Sequence, residues 1–405
     1  MERNTLYRGG LVLLIGFIFL KFGGVLFRVI CMNMLSVSAY GEVAIFLVLF
    51  NWFMLFATFN VTLGLAKFVS QDSSKKGVYY SAALIGSFVL ALVITGVLLL
   101  LTPLLSSAIN VSQGVVLWAV LTIPFAVVYN IGIFYFRGLY HMKHSTMTDT
   151  VMMIIRIAAL VALLYAGLYY APFFAFMVSF VVIDIYILFR NRGVLEYGGE
   201  TLGVFKQLLI YSFPIFVSEF LRHFSMSFDR LALSGFYSTV EAGFYDAATA
   251  LCLGYIIISN SYANALLPKA SSSETNLPKR RKELLRALKA SAALFVLYTV
   301  LLIILGRPVI NIINPAYLGI FEFLPFMMIA YMIMGILVTL FFFSNSIGRQ
   351  RYAVYGGAVF AFLSLTLNVY LVPVMLYMGA ISALIISSLA SLSVMGVLLW
   401  KSERS

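Results

Sequence analysis

Charge is what this sequence has least of, with only 10% of its 405 residues being Asp, Glu, Lys or Arg. A soluble domain carries about 25%, so this chain cannot assemble an ordinary water-facing surface. Cysteine is equally scarce. Cys31 and Cys252 are the only two, and both fall in or at the ends of apolar runs, which excludes a disulfide framework and a cysteine metal site. No soluble domain interrupts the chain. The connections on one side are short and hold no His or carboxylate cluster, which counts against a membrane glycan polymerase or ligase.

Apolar residues fill the space left by the missing charge: 62% of the chain is hydrophobic and its mean hydropathy is +1.02. Runs of about 20 apolar residues, each long enough to cross a bilayer, recur from residue 9 to residue 400. The expected fold is an all-α polytopic membrane protein with about twelve transmembrane helices. Arg3 and Arg8 precede the first run as in a signal peptide. That run is too long, is interrupted by Lys21 and Arg28, and lacks a small-residue cleavage site, so it reads as a retained first span.

The net charge of +12 does not point to nucleic acid, because the basic residues sit in every second connection. Of 27 Lys and Arg, 21 lie on one side, Arg307 alone lies on the other, and five lie within spans. The positive-inside rule therefore places both termini in the cytoplasm of a cell-membrane protein. The longest basic connection, 269–289, includes PKRRKELLRALK, which suits an amphipathic helix against anionic lipid or simple topology-setting charge.

An internal repeat organises the chain. SAYGEVA at 38–44 and VEAGFYD at 240–246 match around Gly41 and Gly243, an offset of 202. The same offset carries Arg28 onto Arg230, Lys21 onto His223 and Lys67 onto Lys269. Two six-helix lobes follow, 1–193 and 207–405, joined by a cytoplasmic linker at 194–206. An even number of spans per half implies an axis along the membrane normal and a substrate site at the lobe interface.

Residues 211–247 read as a span, yet they contain Glu219, Arg222, His223, Asp229 and Arg230. A charge at the bilayer centre costs about 2.5–3.5 kcal/mol on insertion scales, so these groups should face a protein-lined or watery interior, along one helical stripe. Lys21 and Arg28 share a face of the first span, and Arg156 lies in the fifth. These cations suit an anionic headgroup such as a diphosphate. The alternative is local pairing, of Glu219 with Arg222 or His223 and of Asp229 with a cation on another helix. Asp184, Glu219, His223 and Asp246 are candidates for proton or sodium coupling, and each alone is equally a structural partner. Pro214 and Pro325 are candidate hinges.

At this point the chain resembles the polysaccharide flippases (Wzx type, polysaccharide transporter family) of the multidrug/oligosaccharidyl-lipid/polysaccharide (MOP) exporter superfamily. The resemblance rests on the charged first span, Tyr40-Gly41, Gly64-Leu65-Ala66-Lys67, Tyr211-Ser212-Phe213-Pro214, Asp229-Arg230 and Ala242-Gly243-Phe244-Tyr245. It implies a MATE/MOP-like fold, N-in and C-in, and a transporter, not an enzyme. The cargo it implies is a polyprenyl-diphosphate-linked oligosaccharide, bound by Lys21, Arg28, Arg156, Arg222 and Arg230 and flipped outward by alternating access. Lipid II flippases typically add two C-terminal spans, which this chain lacks after Trp400-Lys401. No cofactor or metal is implied. Coupling to Na+, H+ or the membrane potential, membrane lipids and other glycan-assembly proteins as partners, and action as a monomer complete the expectation. The competing reading within transport is a cation-coupled multidrug extruder, which would depend on Asp184, Glu219 or Asp246 and tolerate loss of Arg28.

Overall fold

The computed structural model describes residues 23–196, 198, 200–271, 277–346 and 349–402. Lys21, Arg3 and Arg8 lie outside them. The described residues form helices, short 3-10 turns and connections, with no strand. The helices are α1 (Gly23–Met34), α2 (Val37–Thr58), α3 (Val61–Gln71), α4 (Lys76–Ala108), α5 (Gln113–Gly138), α6 (Met142–Tyr165), α7 (Ala171–Asn191), α8 (Thr201–Ser225), α9 (Phe228–Phe236), α10 (Thr239–Ser271), α11 (Leu277–Ile313), α12 (Leu324–Ser346) and α13 (Gln350–Ser402).

Ten of these are long and apolar enough to cross a membrane. In α13, the apolar stretch Arg351–Leu399 has 49 residues, about 74 Å at 1.5 Å per residue. That is more than twice the hydrocarbon thickness of about 30 Å. The run is broken at Leu376, whose φ of 50° and ψ of −124° end one crossing length and begin another. Pro373 stands just before, and its carbonyl accepts the Tyr237 hydroxyl at 2.9 Å. The sequence expects one span near 42–66, and the backbone instead turns at Phe59 and Asn60, both at positive φ, to separate α2 from α3. Pro214 leaves α8 unbroken. The interruption comes later, at Met226 and Ser227, and the stretch 211–247 read as one charged span is shared among α8, α9 and the start of α10.

The chain divides into two compact units. The first comprises Met1–Leu35 and Ile45–Val217, and the connection 194–206 lies wholly inside it. Its core is aromatic: Phe46 packs on Phe173 and Phe50 on Phe176, with ring centroids 4.8 and 5.2 Å apart. Phe176 and Phe180, edge to face, continue the cluster along α7. Between membrane helices there is little hydrophobic drive, since lipid is as apolar as leucine, so close van der Waals fit of such rings holds the unit together. α4 turns most of its surface outward, with Leu100 83% exposed, as a lipid-facing helix does.

The second unit comprises Ser36–Ala44 and Ser218–Ser405. Its first segment carries one copy of the repeat and packs on the other. A Cβ on Gly41 would lie 1.7 Å from the Thr239 carbonyl oxygen, and one on Gly243 would lie 2.7 Å from the Val37 carbonyl oxygen. Residues 37 and 239 are separated by the same 202 positions as 41 and 243. The contact is therefore reciprocal, and glycine at both positions is what lets the backbones meet. Ser38 and Thr239 share a hydroxyl hydrogen bond at 2.9 Å beside it.

Candidate functional site

α8 is as little buried as α11, yet it is markedly less apolar. The surface it exposes carries Leu202, Ile210 and Phe213 together with Lys206 and Gln207. That face ends in Glu219, Arg222 and His223, each about a third exposed. The Arg222 guanidinium donates to Glu219 and approaches His223 Nε2 at 3.1 Å, while His223 lies 3.6 Å from the same carboxylate. The pairing of Glu219 with its i+3 and i+4 neighbours is as helical spacing allows. Because the group remains accessible, it holds one cation in an exposed, partly neutralised state within an otherwise apolar helix.

Past the Met226–Ser227 break the environment changes. Asp229 and Arg230 lie at the start of α9 and are buried. Arg230 donates from Nη1 to Asp246 at 3.0 Å, from its other terminal nitrogen to the Met226 carbonyl at 2.7 Å, and from Nε towards Asp229 at 3.5 Å. Asp246 also accepts the Tyr40 hydroxyl at 2.8 Å. Asp229 thus pairs with its own neighbour, not with a cation on another helix, because the helix break turns it away from the accessible stripe. Two carboxylates share one guanidinium here, and Asp246 has no exposed surface. The Asp229 Oδ2 and Tyr245 hydroxyl atoms are buried without a hydrogen-bond partner of good geometry.

In the first unit the predicted residues are not brought together. Arg156 on α6 is 5% exposed, donates from Nε to Ser179 at 3.1 Å, and lies 3.5 Å above the Phe176 ring and 4.9 Å from that of Phe180. Among the described residues no carboxylate forms an ion pair with it, so ring faces carry its charge. Asp184 on α7 is 5% exposed, and neither of its carboxylate oxygens has a hydrogen-bond partner. Arg28 is half-buried on α1. At repeat-equivalent positions the first half has Phe27 for Asp229 and Ala44 for Asp246, so only the second half surrounds its arginine with this acid pair.

Sequence reasoning missed Tyr40 as a ligand of the acid cluster and Phe176 with Phe180 as the cradle of Arg156. Tyr40 stood next to the repeat glycine, which was the available signal. Nothing in spacing alone marked the two phenylalanines among 36. Among the described residues no His, Cys, Asp and Glu group suits a metal ion.

The buried, unpartnered Asp184 yields a direct expectation. An unsatisfied buried polar group costs about 1–3 kcal/mol, so Asp184→Leu is expected to raise the thermal midpoint of the detergent-solubilised protein. A lowered midpoint would show that the carboxyl is satisfied and structural.

The family described as polysaccharide biosynthesis protein matches residues 6–274. No curated protein matches the chain in sequence. Among solved structures, an inward-facing multidrug resistance MATE family transporter of the MOP superfamily is similar with a TM-score of 0.76 at 12% identity, covering 95% of this chain and 96% of that one. The lipid II flippase MurJ in an inward closed conformation is similar with a TM-score of 0.79 at 16% identity, covering 97% and 87%. The eukaryotic MATE transporter AtDTX14 gives 0.69 at 13%, covering 98% and 95%. These likenesses show the fold, that of MOP-superfamily transporters, and with the apolar helices they make the chain a multi-pass membrane protein.

Proposed function

Because this chain belongs to the polysaccharide biosynthesis protein family, we propose that it flips a polyprenyl-diphosphate-linked oligosaccharide from the cytoplasmic to the outer leaflet of the cell membrane. It does so by alternating access and without covalent chemistry. The observation that carries this reading is the accessible Arg222 with Glu219 and His223 on α8, a partly exposed cation within a membrane-spanning helix. A diphosphate is a strong partner for a guanidinium, whose planar donors match its oxygens. Arg28 and Lys21 serve as further cations along the path. Arg156 and Arg230, whose donors are engaged by ring faces and acids, support it from within their units. Both termini lie in the cytoplasm, and the protein acts as a monomer alongside other glycan-assembly proteins.

The buried cluster of Asp229, Arg230 and Asp246 holds one more acid than base, and this excess favours coupling to H+ or Na+ or a response to the membrane potential. The same feature supports the second reading, a cation-coupled multidrug extruder of the same fold.

The deciding experiment is translocation of a headgroup-labelled polyprenyl-diphosphate oligosaccharide in proteoliposomes. A charge-assisted hydrogen bond contributes about 1.5–3 kcal/mol, so Arg222→Ala and Arg28→Ala are each expected to slow flipping by about one to two orders of magnitude. Flipping at the unaltered rate in both variants would discard the cationic path. Efflux of organic cations in place of glycolipid flipping would move the extruder reading ahead.

A further inference from the structure

The face of α6 turned away from Arg156 and the adjoining face of α7 form a groove. Met147, Val151 and Ile155 line it on α6, and Val182, Ile183 and Tyr186 on α7. It encloses about 350 Å³, within the range of sites that hold drug-sized apolar ligands. Its walls are outward-turned, with Val151 44% and Val182 43% exposed. Both helices are long and apolar enough to span a membrane, so the groove between them suits a hydrocarbon chain.

The groove begins at His144, which is exposed and in ring contact with His141 at 5.9 Å. From residue 144 to residue 155 the helix rises about 16 Å at 1.5 Å per residue. That is roughly half of the 30 Å hydrocarbon core, the depth of one leaflet. The leaflet is set by charge. Lys143 lies one helical turn before Met147, and Arg190 lies one turn beyond Tyr186; both are exposed. They stand at the end of the groove that the Lys and Arg distribution assigns to the cytoplasm. Two carboxylates lie close by in sequence, Asp149, which is buried and paired with Arg137 at 3.0 Å, and Asp184, which is buried on α7, and neither is among the residues that line the groove.

We propose that this groove is the docking site for the tail of the lipid-linked cargo in the cytoplasmic leaflet, with its diphosphate at Lys143, Arg190 and His144. The inference rests on the flippase reading and adds where the lipid is captured. Charge complementarity selects the occupant. Two cations and an imidazole at one mouth suit a diphosphate better than a phosphodiester, and one groove between two helices accommodates a single chain, not the pair of an ordinary phospholipid.

The test uses the full chain in proteoliposomes with a diazirine-tailed polyprenyl-diphosphate oligosaccharide, compared with a diazirine-tailed phosphatidylglycerol. Labelling of α6 and α7 peptides by the polyprenyl probe is expected to exceed that by phosphatidylglycerol at least tenfold. Val151→Trp with Val182→Trp, both lipid-facing changes, fill the groove and are expected to cut labelling tenfold and flipping at least fivefold. Lys143→Gln with Arg190→Gln, which leave the walls intact, lower labelling to a similar extent. Ile210→Trp, in a separate groove beside Phe68 and Tyr211, is the control and leaves both readouts unchanged. Equal labelling by the two probes, or unaltered labelling and flipping in the tryptophan variant, overturns the proposal. Flipping by the intact protein without α6 and α7 labelling also overturns it and spares the flippase reading, whereas selective labelling without any flipping supports the groove and sinks that reading alone.

Discussion

Arg230→Ala is expected to destabilise the protein by about 3–5 kcal/mol, the usual effect of removing one partner from a buried charge group. Asp229 and Asp246 are both buried, and Arg230 is the cation hydrogen-bonded to Asp246 and drawn towards Asp229. Without it, two carboxylates remain in an interior where an uncompensated charge is far from water. The Met226 carbonyl at the α8–α9 break loses its donor as well. Loss of monodispersity or a fall in thermal midpoint, measured on the solubilised protein, reads this directly. Asp229→Asn with Asp246→Asn in the Arg230→Ala background should recover much of the loss, because neutral amides remove the stranded charge. An Arg230→Ala protein with an unchanged midpoint would show that the acids are neutral in the native state and that the guanidinium does not hold them.

The second large effect is expected at Gly41. A side chain there would begin 1.7 Å from the Thr239 carbonyl oxygen and 2.6 Å from its carbonyl carbon. Both are backbone atoms, so relief requires α2 and α10 to separate. Overpacking a core usually costs about 1–3 kcal/mol, and a backbone clash of this kind belongs at or above the upper end. Gly41→Val should therefore prevent accumulation of folded protein or lower its midpoint sharply. Gly23 offers the comparison: the three atoms nearest to its Cβ would all belong to the Met153 side chain, the first at 2.2 Å, and a flexible thioether can move aside. Gly23→Ala should have a much milder effect. Equal damage at the two positions would mean that the α2–α10 crossing yields as readily as a methionine tail.

Much of this architecture was legible in the residues. Shared glycines at one offset exposed the repeat because a close helix crossing admits no other residue, so identity persists there while the rest drifts. Apolar runs marked membrane helices because lipid leaves the backbone no other partner. The fate of each cation was less legible. Helical spacing predicts which residues share a face, but not which helix lies opposite, so neither the phenylalanine cradle of Arg156 nor the link from Tyr40 to Asp246 was visible. The charged stripe from Glu219 to Arg230 failed for a local reason. Two residues outside the helix, Met226 and Ser227, were enough to change the phase, leaving Arg222 accessible and Arg230 enclosed.

The reciprocal contact of Gly41 with Thr239 and of Gly243 with Val37 is isologous in form, the kind made when two copies of one patch meet in a homodimer. A duplication that fused two such copies into one chain accounts both for the repeat and for its contact point. Symmetric partners must carry the same residue on both sides. The acids Asp229 and Asp246, matched in the first half by Phe27 and Ala44, are therefore a specialisation open only to the fused form, in which one half can acquire an acid pair that its sibling lacks at the equivalent positions.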